Sequence, residues 1–306
     1  MYVVRGEFYL DFDFVDKWDE ELKQMNDGKV GKPFVFPDSF IKLQAIWHQL
    51  VDYRGLEGIA RKLSKFGLIP EYDDYTTIWH RVHKMKPEIE LPDYDDLEPG
   101  SDGSGLKSNN AGQYRIFKYG ERKRKKYLVV VITADVRRKK LLDVEAHMEG
   151  EGPDEPKIGM KHLRKLVKKG KKIKKYYGDG KFDTNDTFNE LEKFGAEPLI
   201  PVDINASPSG SDPPRRKVVR AQFRLPEGPG RRKFHDTKER RKKMQKKWRK
   251  RVKHGLRWPG NEGIFSSVKR KFGENTVSRK KENLIVEAIQ RFWAYDVICS
   301  YALKRM

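Results

Sequence analysis

The sequence contains very little cysteine and no long apolar run. Cys299 is the only cysteine among its 306 residues, which excludes a disulfide framework and a thiolate metal site. No apolar run approaches the length of a membrane-spanning helix, and the first residues lack the layout of a signal peptide. A cytoplasmic protein with no membrane partner is therefore expected.

Acidic residues are outnumbered in only part of the chain. Overall, 66 Lys and Arg residues against 45 Asp and Glu give a formal net charge of +21. Residues 1–100 contain 13 basic and 20 acidic residues, whereas residues 215–253 contain 19 basic and three acidic ones. Such a basic block favours a polyanionic partner, most commonly a phosphate backbone. A disordered tail or localisation patch is the alternative, but the block is internal and interleaved with aromatic residues. A nucleic-acid-contacting insertion at about 203–256 is therefore the better interpretation.

Residues 1–90 predict an N-terminal arm followed by a small helical domain. Apolar residues recur at helical spacing from Asp38 to Val51, and two further helices are predicted over 56–66 and 78–86. Three short helices are compatible with a helix-turn-helix-like module and equally with a plain packing domain. The acidic balance of this region argues against it as the main DNA-binding surface.

Residues 91–306 show alternating strand and helix patterns. A stretch rich in Pro, Asp, Gly and Ser at 87–112 is interpreted as a domain boundary, and residues 203–230 as a linker. Strands are predicted over 114–119, 127–133, 140–147, 173–177 and 197–202, and helices over 157–169, 184–194, 236–253, 260–272 and 282–303. The helix at 260–272 has Asn261 as its expected N-cap and Gly273 as its expected C-cap. This order predicts an α/β domain with a mixed sheet and helices on its faces.

Three acidic residues stand out in this part of the chain. Asp102 and Asp179 each precede a glycine, and Glu262 lies at the start of the 260–272 helix. Each alone is a weak signal, because Asp-Gly is a common turn dipeptide and a Glu near a helix start is ordinary. Together, in basic surroundings, they are of the kind that holds two divalent metal ions for phosphodiester chemistry.

The sequence blocks around these carboxylates resemble the DDE transposases of bacterial and archaeal insertion sequences. The first block is SDGSGLK at 101–107, and the second is GDGKFD at 178–183. In the third block, the family's Tyr/Arg/Glu/Lys pattern is matched by His254, Arg257, Glu262 and Lys269. His replaces Tyr, and four residues rather than three separate Arg257 from Glu262. A bulge at Pro259-Gly260 is expected to absorb the extra residue.

The resemblance implies a specific fold, chemistry and set of partners. The fold would be α/β, with an RNase H-like mixed sheet flanked by helices over 91–306 and a basic insertion before the last catalytic helix. Asp102, Asp179 and Glu262 would bind two Mg²⁺ or Mn²⁺ ions. The protein would cleave double-stranded DNA at the ends of an insertion element and transfer the 3′-OH ends to target DNA, as a nucleoid-associated homodimer. The expected DNA contacts are Arg257, Lys269, His254, Arg240, Arg241, Lys246, Lys247 and Arg249.

Two alternatives share these features. Another RNase H-fold nuclease acting on RNA or a hybrid would suit the carboxylates, although nothing in the chain is recognisable as a reader of the 2′-hydroxyl. A catalytically inactive nucleic-acid-binding protein would keep the basic residues and lack metal-dependent strand transfer.

Overall fold

The computed structural model describes residues 2–108, 127–225 and 236–305. Its α-helices are α1 (Tyr2–Glu7), α2 (Trp18–Asn26), α3 (Asp38–Trp47), α4 (Tyr53–Lys65), α5 (Tyr75–Lys84), α6 (Glu155–Lys168), α7 (Asn185–Lys193), α8 (Pro213–Phe223), α9 (Lys238–Arg251), α10 (Gly263–Phe272) and α11 (Lys281–Lys304). Its strands are β1 (Asp96–Leu97), β2 (Pro99–Ser108), β3 (Leu128–Asp135), β4 (Lys140–Met148), β5 (Lys172–Ile173), β6 (Lys175–Tyr177), β7 (Glu197–Leu199) and β8 (Asn275–Thr276). None of the helices in these ranges has the length and apolarity needed to cross a bilayer.

The described residues form two compact units. A helical unit contains residues 2–88, 108 and 270–305, and a sheet unit contains residues 89–107, 127–225 and 236–269. The helical unit thus includes the C-terminal helix α11 as well as the N-terminal helices. The expected domain division at about residue 90 stays a prediction.

Local signals account for the helices of the helical unit. The three predicted helices are confirmed as α3, α4 and α5. Asp52 caps α4 by accepting a 2.7 Å hydrogen bond from the backbone N–H of Gly55. Asp74 caps α5 by accepting 2.8 Å bonds from the N–H groups of Thr76 and Thr77. Both caps satisfy donors that a helix start leaves without a partner.

The sheet unit is built on a mixed sheet. Five of its strands lie in the order β4-β3-β2-β6-β7. β2 and β4 are antiparallel to β3, whereas β6 is parallel to both β2 and β7. Helices α6 and α7 pack on β3 and β7, respectively. The predicted α/β class is therefore confirmed, and the mixed sheet with flanking helices is consistent with the RNase H-like fold.

The glycine-rich stretch at 99–108 forms strand β2, which was not predicted from the sequence. The glycines are required because other residues approach the strand closely. A Cβ atom on Gly100 would lie 2.7 Å from Cγ1 of Val136, and one on Gly103 would lie 2.5 Å from Cδ of Glu155. Glycine inside a strand is typical of such close approach. The extended conformation of this segment thus depends on contacts with residues distant in sequence.

Two further sequence interpretations change. The expected linker at 203–230 contains helix α8, whose Val219 and Phe223 are fully buried in the core of the sheet unit. The expected strand at 114–119 lies outside the described residues. The predicted strand at 173–177 is divided into β5 and β6, which belong to different sheets. The basic helix and the other predicted strands and helices are confirmed with small shifts of their ends.

A buried polar chain connects β2 to helix α6 beneath the candidate site. Oγ of Ser101 and Oγ1 of Thr133 are 2.8 Å apart, and Oγ1 of Thr133 is 2.8 Å from Nδ1 of His162. Burial lowers the pKa of His162 below its ordinary value, so the ring is neutral near pH 7. The chain holds α6 close to the strand that carries Asp102.

Candidate active site

Asp102 and Asp179 lie beside each other at one edge of the sheet. The parallel strands β2 and β6 pair Gly100 with Tyr177, and each aspartate follows its paired residue by two positions. Because side chains two positions apart share one side of a strand, this register brings the two carboxylates together. Asp179 also accepts a 2.9 Å hydrogen bond from the N–H of Lys181, which fixes the short turn at Gly180–Phe182.

Glu262 is brought to the same place by an irregular helical turn. Residues Trp258–Glu262 form a π-helical turn that leads into α10. Asn261 is therefore not the N-cap of the helix, as expected from the sequence. Its side chain is fully buried, and neither of its polar atoms has a hydrogen-bond partner among the described residues. The expected C-cap is confirmed, since Gly273 follows α10 with φ of +84°.

Arg257 lies between two of the predicted catalytic carboxylates. Its Nη1 atom is 3.1 Å from Oδ2 of Asp102, and its Nη2 atom is 3.9 Å from Oε1 of Glu262. The residue is only 8% exposed. Its Nε and Nη1 atoms have no hydrogen-bond partner in the described part of the chain. The guanidinium group is therefore held in place with donor capacity left over.

Opposing effects act on the pKa of Asp102. Burial raises the pKa above its ordinary value, and the negative charges of Asp179 and Glu155 raise it further. Arg257 and the N–H of Gly103 act in the opposite direction. The net increase is due first to burial, which disfavours the charged carboxylate, and Arg257 offsets it only in part.

Lys269 extends from α10 to strand β2. Its Nζ atom donates a 2.9 Å hydrogen bond to Oγ of Ser104. Ser104 is two positions from Asp102, so both side chains lie on the same side of the strand. The sequence placed Lys269 and Glu262 about two helical turns apart. In the structure Lys269 contacts β2, and Glu262 lies 3.9 Å from Arg257, which contacts Asp102.

His254 has a different position from the one expected for a DNA contact. It is 7% exposed, and its Nε2 atom donates a 3.0 Å hydrogen bond to the carbonyl oxygen of Gly178. Burial lowers its pKa, and the rings of Tyr177 and Trp248 lie nearby. The expected DNA contact is corrected, because a buried side chain bonded to the backbone cannot reach a phosphate. His254 instead supports the residue that precedes Asp179.

Glu155 and Lys181 are functional candidates that the sequence did not reveal. Glu155 is the first residue of α6, and its carboxylate lies against Gly103. Lys181 donates a 2.7 Å hydrogen bond to Oε1 of Glu155, and this bond is the main cause that raises the pKa of Lys181. The charges of Asp179 and Asp102 also act on Lys181. The only available sequence signal for Glu155 was an acidic residue at a helix start, which is too common to be specific.

The basic helix α9 presents two kinds of cation. Arg241 is enclosed, because it binds Asp236 at 2.5 Å and donates to the carbonyl oxygens of Ile204 and Ala206. Arg240 also pairs with Asp236, at 3.3 Å. The contacts of Arg241 engage its donors within the protein and argue against a DNA contact, whereas the expected DNA contact of Arg240 stays a prediction. The cations of α9 that remain exposed include Lys242, Lys243, Lys246, Lys247, Arg249 and Lys250.

The donor set suits a hard divalent cation. The acidic side chains gathered around Asp102 offer carboxylate oxygens, which Mg²⁺ and Mn²⁺ prefer. Two side-chain cations, Arg257 and Lys181, lie among these carboxylates. One carboxylate oxygen, Oε2 of Glu155, is buried without a hydrogen-bond partner among the described residues. Within those residues, no three acidic, His or Cys side chains are close enough to hold one ion as they stand.

Comparison with known families gives two matches to one kind of domain. A family model described as "Transposase DDE domain" matches residues 101–296, which is more than half of the chain. A second model with the same description matches residues 3–111. No curated protein and no solved structure matches the chain.

Proposed function

Because the chain belongs to the DDE transposase family, we propose that it is a metal-dependent DNA transposase of an insertion element. It cleaves DNA phosphodiesters at the element ends and transfers the 3′-OH ends to target DNA. The observation that carries this proposal is the register of β2 and β6, which brings Asp102 beside Asp179. Arg257 connects Asp102 to Glu262.

The three carboxylates are the proposed ligands of two divalent ions. Bound there, Mg²⁺ or Mn²⁺ would supply an activated water or 3′-hydroxyl for attack on phosphorus and would stabilise the leaving oxygen. The carboxylate oxygens around Asp102 are the ligand type that such ions prefer. DDE transposase domains generally use divalent metal ions, which supports this assignment.

Arg257 and Lys269 are the proposed phosphate-binding residues beside the carboxylates. Arg257 is only 8% exposed beside Asp102, so its guanidinium group would have to turn outward to make the planar contact that such groups make with phosphate oxygens. Lys269 is held by its hydrogen bond to Ser104, which lies on the same strand as Asp102, and it supplies a single positive charge there. Together they would hold the scissile phosphate and offset its charge next to the acidic residues.

The exposed cations of α9 are the proposed surface for the remaining DNA backbone. Lys246, Lys247 and Arg249 are exposed on this helix, and contacts of lysine and arginine with phosphates supply sequence-independent affinity. Since transposases act on DNA, double-stranded DNA is the proposed partner. Two element ends must be cut in concert, so a homodimer on DNA is the proposed assembly.

Substitution of the two aspartates tests the proposal. Asp102→Asn and Asp179→Asn should each abolish Mg²⁺-dependent nicking of a duplex that carries the element end, while DNA affinity stays close to that of wild type. Asp95→Asn is a suitable control, because Asp95 belongs to the same unit but its side chain is 68% exposed and pairs with Lys171. Full nicking by either of the first two variants would refute the assignment.

The same assay separates the alternatives. Cleavage of an RNA–DNA hybrid in preference to duplex DNA would identify a nuclease of the RNase H type. Tight duplex binding by wild type without any metal-dependent cleavage or joining would identify an inactive DNA-binding protein.

A further inference from the structure

Glu155 lies in contact with the strand that carries Asp102, although it is distant in sequence. As the first residue of α6, it projects onto β2 at Gly103, the residue after Asp102. A Cβ atom at Gly103 would lie 2.8 Å from Oε1 of Glu155 and 2.5 Å from its Cδ atom. Glycine at 103 therefore leaves the space that the Glu155 carboxylate occupies.

The carboxylate of Glu155 is only half satisfied. Oε1 accepts the 2.7 Å hydrogen bond from Lys181, but Oε2 is buried and has no partner among the described residues. A buried carboxylate oxygen without a hydrogen bond is costly. A cation at this edge of the sheet would remove that cost.

Lys181, which donates to the Glu155 carboxylate, also lies at this edge of the sheet. Lys181 is two residues after Asp179, and the turn between them is fixed by the bond from its N–H to the Asp179 carboxylate. Its ammonium group thus reaches Glu155 from the side of Asp179, while Glu155 reaches β2 from the side of α6. A surface ion pair with a purely structural role would have no reason to face both catalytic aspartates.

We propose that Glu155 is a fourth carboxylate of the metal centre, and that Lys181 is the cation that occupies its place when no divalent ion is present. The inference rests on the proposed function, because it requires a metal centre at Asp102 and Asp179. In the metal-loaded protein, Glu155 turns from Lys181 towards the ion, and Lys181 becomes free to meet a phosphate.

Direct measurement of Mn²⁺ binding tests the two side chains in opposite directions. In titrations of the full chain without DNA, Glu155→Gln should weaken Mn²⁺ affinity by about tenfold or more, the range found for residues that support a metal site. Lys181→Gln should strengthen it, because a competing cation is removed. Glu190→Gln is the matched control, since Glu190 pairs with Arg164 of the same helix α6 at 2.6 Å. Equal Mn²⁺ affinity in wild type and Glu155→Gln would overturn the proposal.

A ligand exchange distinguishes coordination from a general effect of charge. Glu155→Cys should bind Cd²⁺ with a sulfur-to-cadmium charge-transfer band in the ultraviolet, and the added Asp102→Asn substitution should weaken that band. Because Cys299 is the only native cysteine, a Cys299→Ser background removes other thiolates. Absence of the band in folded Glu155→Cys, as checked by circular dichroism, would overturn the proposal.

These results separate the inference from the proposed function. If Asp102→Asn loses Mn²⁺ binding while Glu155→Gln keeps it, the metal centre stands and the fourth carboxylate fails. If neither Asp102→Asn nor Asp179→Asn affects Mn²⁺ binding, the proposed metal centre itself fails, and the inference fails with it.

Discussion

The exposed lysines of α9 give the sharpest test of how the protein binds DNA. Lys246 and Lys247 are both exposed, and neighbouring positions on a helix project in different directions, so together they sample a broad basic surface. We expect Lys246→Ala/Lys247→Ala to weaken binding to any duplex, whatever its sequence, because phosphate contacts position a protein without reading bases.

The size of the effect follows from counter-ion release. Each neutralised phosphate contributes about 0.9 to the slope of log affinity against log salt concentration, so loss of two contacts should reduce the slope by about 1.8. For a fourfold rise in salt, from about 50 to about 200 mM, wild type should then lose about 12-fold more affinity than the double variant. Fluorescence anisotropy with a labelled duplex at four salt concentrations measures this difference.

Two controls make the result specific. Lys23→Ala/Lys42→Ala removes the same charge from exposed positions in the acidic segment 1–100, and it should leave the slope close to that of wild type. Arg241→Ala should lower thermal stability with little change of slope, because Arg241 is bound to Asp236 and to two carbonyl oxygens. An unchanged slope in Lys246→Ala/Lys247→Ala, or an equal reduction in the Lys23 and Lys42 control, would refute the assignment of this helix face to DNA.

Two further predictions concern buried groups. Asp73 is 1% exposed, and burial raises its pKa from 3.8 to about 6. Its contribution to the free energy of unfolding is therefore complete below about pH 4. That free energy falls by about 3 kcal/mol as the pH rises through about 6. Asp73→Asn should remove this loss, and urea unfolding of both proteins at about pH 4 and pH 7 checks it; identical pH dependence would contradict the reasoning. His254→Phe should slow DNA cleavage on the order of tenfold without changing DNA affinity, because the bond to Gly178 next to Asp179 is lost. His254→Gln, which keeps an N–H donor, should recover part of the rate, and an equal defect in both variants would indicate a loss of packing only.

The parts of the fold with strong local signals could be predicted from the sequence. The β-branched run of β3 and the aspartate caps of α4 and α5 act within a few residues of the structure that they specify. Asp102, Asp179 and Glu262 could be proposed because each lies in a sequence block that resembles one family. The proximity of Asp102 and Asp179 through the β2–β6 register could not be read from either block alone.

The remaining features depend on contacts between distant residues. The composition of β2 favours turns, but the strand pairs with β3 over eight residues, and its glycines leave room for Val136 and Glu155. His254 matched a family pattern, but its side chain is buried and forms a hydrogen bond with a residue 76 positions earlier. Arg241 had the same sequence signal as the exposed lysines, and only the carbonyl oxygens of Ile204 and Ala206 distinguish it. Residue type alone could not separate these structural roles from binding roles.

The spacing of Arg257 and Glu262 shows how a departure in sequence can leave the site intact. An α-helical turn brings together residues four positions apart, whereas a π-helical turn brings together residues five positions apart. With four intervening residues instead of the family's three, Arg257 and Glu262 are five positions apart, and Trp258–Glu262 forms a π-helical turn. Gly260 makes this turn possible against β3, because a Cβ atom there would lie 2.8 Å from Cα of Val136. The extra residue is therefore accommodated within the turn, and Arg257 stays within 3.9 Å of Glu262 and 3.1 Å of Asp102. The helical turn differs from the spacing of the family, and the charges of Arg257, Asp102 and Glu262 still lie close together.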